Sequence, residues 1–439
     1  MTPAASDGGA LDALHAALDG ALTGIEAARC LVAVSGGRDS MLLLHLLAAR
    51  HRAAGVAPPR VVHVHHGLQR DADAWAEQVE AACAALACPC VVRRVRVVAG
   101  GEGPEAAARG ARYAAFESVM AAGDHLLTAH HRDDQAETVL LRLLRGAGPR
   151  GLAGMRPRRT LGTGVLVRPL LEVEGTVLAA AARALNLSWV EDPSNAGLDA
   201  DRNLLRHEIL PRLDARWPGA ARSLARAARA CGDQEALLDE LLTEVPAAGA
   251  PLPVATLAGD APRGHAVLRR WLAGAGVPMP PRTRLDELLR QLAAPVDARV
   301  RIDLGAWSIR RFRGALHLLT AMPAPRVPAA LQVPGETDLG CGRLRLDLDA
   351  TGGLRTDLGP PQVRFRRGGE RVRPSGRGGS VALKQWLQEE GVPPWQRDRL
   401  PLLLLGGEVA AVGERLLDDG LQTPPDVPGW RPRWLPSAS

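Results

Sequence analysis

The stretch that most restricts the fold runs from residue 28 to residue 52. Residues 28–35 (Ala-Arg-Cys-Leu-Val-Ala-Val-Ser) form a short apolar run that ends in small residues. Such a run predicts a strand buried on both faces and followed by a turn. The turn reads Ser35-Gly36-Gly37-Arg38-Asp39-Ser40, and Asp39 to Arg52 has the apolar spacing of a helix through Met41, Leu42, Leu44, Leu46 and Leu47. A glycine pair between strand and helix lets backbone N–H groups approach an anion, and the helix N-terminus adds a positive field. Ser40 can add a hydroxyl donor. Asp39 would repel a phosphate unless a cation lay between them, which implies Mg²⁺.

The same alternation continues. Strands are predicted at Val61–His65, Val91–Val98 and His125–Ala129, and helices at Asp73–Leu86, Glu105–Ala122 and Asp133–Leu144. Strands alternating with helices predict an α/β, doubly wound parallel sheet, with ligands outside the carboxyl ends of its strands. A further α/β stretch spans Thr176–Val190. A helix is expected from Arg202 to Leu213, closed by Pro211 and Pro218, with a domain boundary near Trp217. Helical patterns follow at Ala220–Val245, Gly264–Ala273 and Thr283–Leu292, then a β pattern at Val300–Leu319. The Pro/Ala-rich segment Ala321–Ala330 reads as a linker. The rest is β-rich, with one helix near Val381–Glu390. The expected domains are therefore 1–217, a helical middle 218–325, and a β-rich α+β C-terminal domain 326–439. This suits 439 residues at roughly 100–200 per domain.

Several function classes drop out. A Walker A loop needs Gly-Lys-Ser/Thr, and the only lysine is Lys384. Gly146, Gly148 and Gly151 spell G-x-G-x-x-G, but after a helix rather than a strand, so no dinucleotide site is expected there. Apolar runs such as Leu400–Leu405 are far shorter than the roughly 20 residues of a membrane span, so no membrane partner is expected. Six cysteines without a C-x-x-C pair suit a reducing, cytoplasmic setting. The net charge of +6 is a mild hint of a polyanionic partner. Lys occurs once, Tyr once, Asn three times and Ile four times. All four have A/T-rich codons, so drift in a G/C-rich genome is inferred, and a surviving Lys384 marks a position where the residue type matters.

The Ser-Gly-Gly-x-Asp-Ser pattern after strand one resembles the PP-loop ATP pyrophosphatases, with a Rossmann-like sheet. That resemblance implies ATP split to AMP and pyrophosphate, with AMP attached to an oxygen that then becomes a good leaving group. Further motifs narrow the family. They are His63-Val-His65-His66-Gly67-Leu68, then His130-His131-Arg132-Asp133-Asp134-Gln135-Ala136-Glu137-Thr138. Glu191-Asp-Pro-Ser-Asn195 precedes Arg202-Asn203-Leu204-Leu205-Arg206-His207, and Gly391-Val-Pro-Pro-Trp395-Gln-Arg397-Asp398 lies near the C-terminus. In this order they resemble the bacterial tRNA(Ile)-lysidine synthetases, from Ser35 to about Val412.

The resemblance implies the reaction. ATP adenylates the C2 oxygen of the wobble cytidine in an isoleucine tRNA with a CAU anticodon. The ε-amine of free L-lysine then attacks C2 and expels AMP, leaving lysidine. It also implies ATP binding by Ser35, Gly36, Gly37, Arg38, Asp39, Ser40, His63 and His66, and leaves a homodimer open. Arg38 occupies the variable position of the loop and can reach the phosphates or solvent.

Asp134 and Glu137, at i and i+3, share one helix face beside the ATP loop. They can hold Mg²⁺ (Asp39 and Asp134 being the candidate ligands), hold the lysine amine, or accept its proton. Acidic residues also favour helix N-termini for dipole reasons alone, and Asp133 reads as a cap. Asp39, Asp134 and Glu137 are the candidate catalytic residues.

The tRNA contacts are expected at Arg109 and Arg112, which share a helix face with Tyr113 nearby, and at Arg202, Asn203 and Arg206. The relatives' usual aromatic residue two places before Arg202 is Ala200 here. Between Pro361 and Arg399 stand nine basic and four acidic residues with Phe365, Trp386 and Trp395 interleaved. Lys384, Trp395 and Arg397 are the expected contacts there. The rival reading is a PP-loop tRNA thiolase, which needs cysteines poised for sulfur transfer. Cys30, Cys83 and the Cys88-Pro-Cys90 pair are its candidates. A third reading is an RNA-binding protein without catalysis.

Overall fold

The structure is a computed structural model, and it describes residues 7–67, 71–97, 104–193, 197, 200–292 and 300–437. The Ser194 and Asn195 part of the Glu191–Asn195 motif, and Leu68 of the histidine motif, lie outside them. Backbone contacts divide the chain into two compact units, Met1–Leu241 and Leu242–Ser439.

The first unit opens with helix α1 (Asp7–Leu22) and a 3-10 turn at Ala27–Arg29. Strand β1 (Cys30–Ala33) follows, then α2 (Arg38–Ala53), β2 (Arg60–His65), α3 (Ala72–Ala85), β3 (Cys90–Arg94), α4 (Pro104–Val119), β4 (His125–Leu127) and α5 (Arg132–Leu144). The short helix α6 (Pro149–Leu152) leads to the hairpin β5 (Arg158–Leu161) and β6 (Gly164–Val167), and then to α7 (Gly175–Ala184). The six strands lie in the order β3-β2-β1-β4-β6-β5. The first five pair in parallel, and β5 pairs antiparallel with β6 at the edge. The sheet is thus doubly wound as expected, with an added edge hairpin that the apolar patterning did not reveal.

The core explains the alternation. Leu31 and Val32 on β1, Leu126 and Leu127 on β4, and Leu42, Leu43, Leu44 and Leu47 on α2 are almost wholly enclosed. Each such side chain contributes about 1.5–3 kcal/mol by leaving water. Leu14 and Leu18 of α1 join the core of Val32, Leu127 and the α2 leucines, while Leu31 and Leu126 belong to a second cluster with Val62 and Phe116. Strands buried on both sides keep only their carboxyl ends free for polar residues, and that is where the motifs fall.

Helix α8 (Asp201–Leu204) passes through a π turn at Leu205–Ile209 into α9 (Leu210–Arg216). Here the structure differs from expectation: Pro211 does not close the helix but sits in the first turn of α9. The N–H of Leu210 bonds the carbonyl of Leu205, five residues back, and this wider turn accommodates the proline. Helix α10 (Ala220–Leu241) completes the unit, with Ala225, Ala228 and Gly232 buried.

The second unit begins with β7 (Leu252–Pro253), α11 (Ala261–Gly274), α12 (Arg282–Leu292) and three strands, β8 (Arg301–Leu304), β9 (Trp307–Phe312) and β10 (Ala315–Thr320). They make a sheet in the order β7-β10-β9-β8, so the middle section carries a sheet beside its helices. A β-rich body follows: β11 (Gly335–Asp338), β12 (Gly342–Asp349), β13 (Gln362–Arg364), β14 (Arg371–Val372), β15 (Val381–Ala382), α13 (Leu383–Glu389), α14 (Pro394–Arg397), β16 (Leu402–Leu405), β17 (Glu408–Val412), β18 (Leu416–Leu417) and β19 (Gly429–Pro436).

Candidate active site

The carboxyl ends of β1, β2 and β4 open into a cavity of about 2200 Å³, lined among others by Ser35, Asp39, His63, Asp134, Glu137 and Arg206. Typical small-ligand pockets span roughly 300–1,000 Å³, so this cleft has room for a nucleotide and a second reactant.

The loop after β1 is held by its own hydroxyls. Ser40 Oγ accepts from the Ser35 N–H at 3.1 Å and donates to the Gly37 carbonyl at 2.9 Å. Ser35 Oγ lies 3.1 Å from Ser40 Oγ and accepts from the Gly37 N–H at 3.4 Å. Gly36 has φ +93°, a conformation that L side chains rarely adopt, and its carbonyl accepts from the Val190 N–H at 2.9 Å. The loop is therefore pinned from both sides. Arg38 Nε donates to Asp39 Oδ1 at 2.8 Å, so its guanidinium folds onto its neighbour.

Helix α5 starts with a reciprocal cap. The His131 side chain accepts from the Asp133 N–H, and the Asp134 carboxylate accepts from the His131 N–H at 3.0 Å. The N-cap is His131, not Asp133. In the neutral ring Nδ1 makes the capping bond and Nε2 is left for the cleft; in the imidazolium Nδ1 carries a proton and faces the Asp133 carboxylate at 3.8 Å instead. That Nε2 lies 3.5 Å from Asp39 Oδ2 and 3.6 Å from Asp134 Oδ2. Burial opposes the imidazolium, but Asp39, Asp134 and Asp133 outweigh it and raise the His131 pKa. For Asp39 burial works to raise the pKa, and the hydrogen bonds from His131 and Arg38 prevail, so the carboxyl titrates below its ordinary value. The motif containing His131 was legible in the sequence, but the residue's bridging role was not.

Two arginines close the other side of the acid pair. Arg206 Nε donates to Glu137 Oε1 at 2.6 Å and its Nη2 donates to Asp134 Oδ1 at 3.0 Å. Arg202 Nε donates to Glu137 Oε2 at 2.7 Å, and its Nη2 lies 3.5 Å from Asp134 Oδ1. The structure thus brings Asp134, Glu137, Arg202 and Arg206 together, where the sequence reading placed the arginines on RNA. Asn203 instead donates to the Gly197 carbonyl at 2.7 Å.

The histidines of β2 part ways. His63 Nδ1 lies 2.8 Å from the Val34 carbonyl, beside the Ser35–Ser40 loop. Burial lowers its pKa. His66 Nε2 accepts from Arg112 Nε at 3.2 Å. Burial, and then the charge of Arg112, push His66 down to about 4, so it is neutral and able to accept. His65 turns to Asp73 at 3.3 Å. Arg109 Nη2 donates to the Tyr113 hydroxyl at 3.2 Å, and Arg109 and Arg159 stand 4.9 and 4.7 Å from the Tyr113 ring centroid. Arg159 belongs to the unforeseen edge hairpin.

In the second unit Lys384 is exposed on α13. Arg397 Nε donates to the Val392 carbonyl at 2.7 Å. Trp395 is 7% exposed and packs on Phe312 and His317. The Trp395 ring is thus largely enclosed by protein. Among the described residues no cysteine lines the cleft. Burial raises the thiols of Cys30 and Cys88 above their ordinary value, which suits packing rather than sulfur transfer.

Comparison with known proteins agrees with this geometry. A PP-loop domain family matches residues 12–213, a TilS substrate binding domain family residues 252–317, and a TilS substrate C-terminal domain family residues 362–434. The tRNA(Ile)-lysidine synthase of Alkalilimnicola ehrlichii is 47% identical over 397 residues, covering 87% of this chain and 88% of its own. That of Escherichia coli O157:H7 is 40% identical over 409 residues, covering 89% and 93%. That of Xanthomonas campestris pv. campestris is 45% identical over 421 residues, covering 93% and 94%. With likeness at this level over nearly its whole length, and with all three family domains in order, the chain belongs to the tRNA(Ile)-lysidine synthase family.

Proposed function

We propose that this protein ligates free L-lysine to C2 of the wobble cytidine in an isoleucine tRNA with a CAU anticodon, through an adenylated cytidine, releasing AMP and pyrophosphate. The observation that carries the reading is the single cleft onto which the Ser35–Ser40 loop and the Asp134–Glu137 acid pair both open.

Each part has a physical basis. Backbone N–H groups of the loop and the N-terminus of α2 suit the ATP phosphates. His63 and His66, kept neutral, can donate or accept towards the nucleotide without repelling a cation. Arg202 and Arg206 match the acid pair charge for charge, so the pair would receive the lysine ammonium and its proton as an arginine shifts off a carboxylate oxygen. Arg202 and Arg206 then serve to orient those carboxylates. Mg²⁺ fits through Asp39, since one carboxylate with phosphate oxygens and water satisfies it. Bound there, it would neutralise charge on the departing pyrophosphate. Asp134 suits it less, because its two oxygens accept from the His131 N–H and from Arg206 at 3.0 Å each, whereas His131 stands 3.5 Å from Asp39 Oδ2.

Arg109, Arg112, Lys384 and Arg397 are proposed to contact tRNA. The family matches fall within the sections 1–217, 218–325 and 326–439, while helix α10 (Ala220–Leu241) packs within the first unit and moves its edge to Leu241. A cytoplasmic location suits a tRNA substrate, and no helix among the described residues is long and apolar enough to cross a membrane. A homodimer rests on the family resemblance alone, and light scattering coupled to size exclusion reads it.

The decisive experiment incubates purified protein with ATP, Mg²⁺, isotopic lysine and an isoleucine tRNA transcript, followed by base analysis of the wobble position. Lysidine and one pyrophosphate per modification are expected. An unchanged cytidine overturns the assignment. Label entering from a sulfur donor instead would revive the thiolase reading.

A further inference from the structure

The Gly391–Asp398 motif meets the β9–β10 hairpin, some seventy-five residues earlier in the chain. The hairpin turns at Arg313-Gly314, with φ +47° and +73°. Positive φ at both central residues matches a tight turn that follows the strand twist. The turn carries an arginine where a glycine or asparagine would fit more easily, which suggests that the side chain is needed. Its Nη2 donates to the carbonyls of Gln388 and Glu389 at 3.3 and 3.4 Å, the last two residues of α13. The Gln388 carbonyl also accepts from the Gly391 N–H at 3.2 Å, and the helix C-terminus favours a cation. Gly391 follows at φ +71°, and a Cβ there would lie 2.3 Å from Arg313 Nη1. The glycine thus leaves the space that the guanidinium fills.

The second half of the contact is aromatic. Trp395 meets Phe312 edge-on with centroids 5.8 Å apart, and His317 at 5.2 Å. Arg310 stands 5.8 Å from the Trp395 centroid. Arg397 fastens the turn from below through the Val392 carbonyl. The residues from the hairpin lie in the section matched by the substrate binding domain, and their partners in the section matched by the C-terminal domain.

We propose that Arg313, Gly391 and Trp395 form a clasp that fixes these two sections of the second unit as one body, and that Gly391 and Trp395 serve tRNA binding by this positioning rather than by touching RNA. The idea rests on tRNA being the substrate. A tRNA that spans both sections binds more tightly when they are already held in one arrangement, because less ordering accompanies binding.

The test uses the full-length protein and the variants Arg313→Ala, Gly391→Ala, Trp395→Ala and Arg313→Ala/Gly391→Ala. Lysidine formation and hydrogen exchange are both followed. Trp395→Ala should raise the KM for tRNA about tenfold and Arg313→Ala severalfold. The KM for ATP and for lysine, and kcat at saturating tRNA, should stay within about twofold. Exchange should quicken at 312–317 and 386–397 without tRNA present. Gly391→Ala should harm tRNA KM less in the Arg313→Ala background than in the parent, since the guanidinium it displaces is already gone. The proposal is overturned if tRNA KM rises with exchange unchanged, which would mean direct RNA contact. It is equally overturned if the two glycine effects are equal. If the parent protein makes no lysidine, the functional reading fails, while exchange and the glycine pair still decide whether the clasp exists.

Discussion

Arg206 Nε donates to Glu137 Oε1 at 2.6 Å, and the Glu137 side chain is 1% exposed while that of Arg206 is 39% exposed. The carboxylate is thus enclosed, and its counter-charge comes from the cleft side, with Arg202 on its other oxygen. Removing one member of a buried pair leaves the other charged and undersatisfied. Glu137→Gln should therefore lower stability by about 1–3 kcal/mol, less than a wholly buried pair because Arg206 is screened by water. It should also lower lysidine formation by about a hundredfold or more. Arg206→Gln in the same chain should restore part of the stability and none of the activity. Urea midpoints and steady-state rates for the parent and the two variants check this.

His131 makes stability depend on pH. Its pKa is raised above the ordinary 6.5 by Asp39, Asp134 and Asp133 working against burial. A group with a raised folded pKa contributes fully below its unfolded pKa and loses that contribution as pH rises through the folded one. The parent protein should therefore lose stability as pH increases from about 6.5, and His131→Gln should flatten that slope. Denaturant midpoints between pH 6 and 9, at about half-unit steps, read the difference. Equal slopes in both proteins would remove His131 from the account.

Glu370 acts in the opposite window. Burial would raise its pKa. Arg364 and the N–H groups of Arg367 and Gly368 overcome this and hold it down to about 2, against an ordinary 4.5. A depressed carboxyl contributes stability above its unfolded pKa and loses it as pH falls towards the folded value. Glu370→Gln should cost about 1–3 kcal/mol at neutral pH. The gap to the parent should narrow between pH 4.5 and about 2. Thermal melts across that range of the second unit's transition would show the convergence.

The legibility of this protein followed period and position. The parallel sheet was readable because strands buried on both faces must be continuous apolar runs, and the loop was readable because Ser35–Ser40 sits at a strand end. The β5–β6 hairpin escaped because Arg158, Arg159 and Thr160 give no apolar alternation on an edge strand. The pairing of Arg202 and Arg206 with Asp134 and Glu137 escaped for another reason. Those arginines lie some seventy residues away, and spacing along one helix says which residues share a face but not what that face meets. The burial of Trp395 was not legible either, because aromatic residues among basic ones suit RNA and a core equally.

Arg38 settles in a way the sequence left open, and it yields a last prediction. The sequence allowed it either phosphates or solvent. In the structure its Nε donates to Asp39 Oδ1 at 2.8 Å, with the side chain 35% exposed. If Asp39 is the carboxylate that meets Mg²⁺, Arg38 competes for the same oxygen. Arg38→Ala should then leave the KM for ATP within about twofold and lower the Mg²⁺ concentration needed for half-maximal rate, since a cation near a metal ligand opposes the metal's charge. The opposite result, a tenfold rise in the KM for ATP at saturating Mg²⁺, would mean that the guanidinium leaves Asp39 for the phosphates when nucleotide binds. Rates measured over a grid of ATP and Mg²⁺ concentrations separate the two, because competition at Asp39 moves only the Mg²⁺ axis and phosphate binding moves the ATP axis.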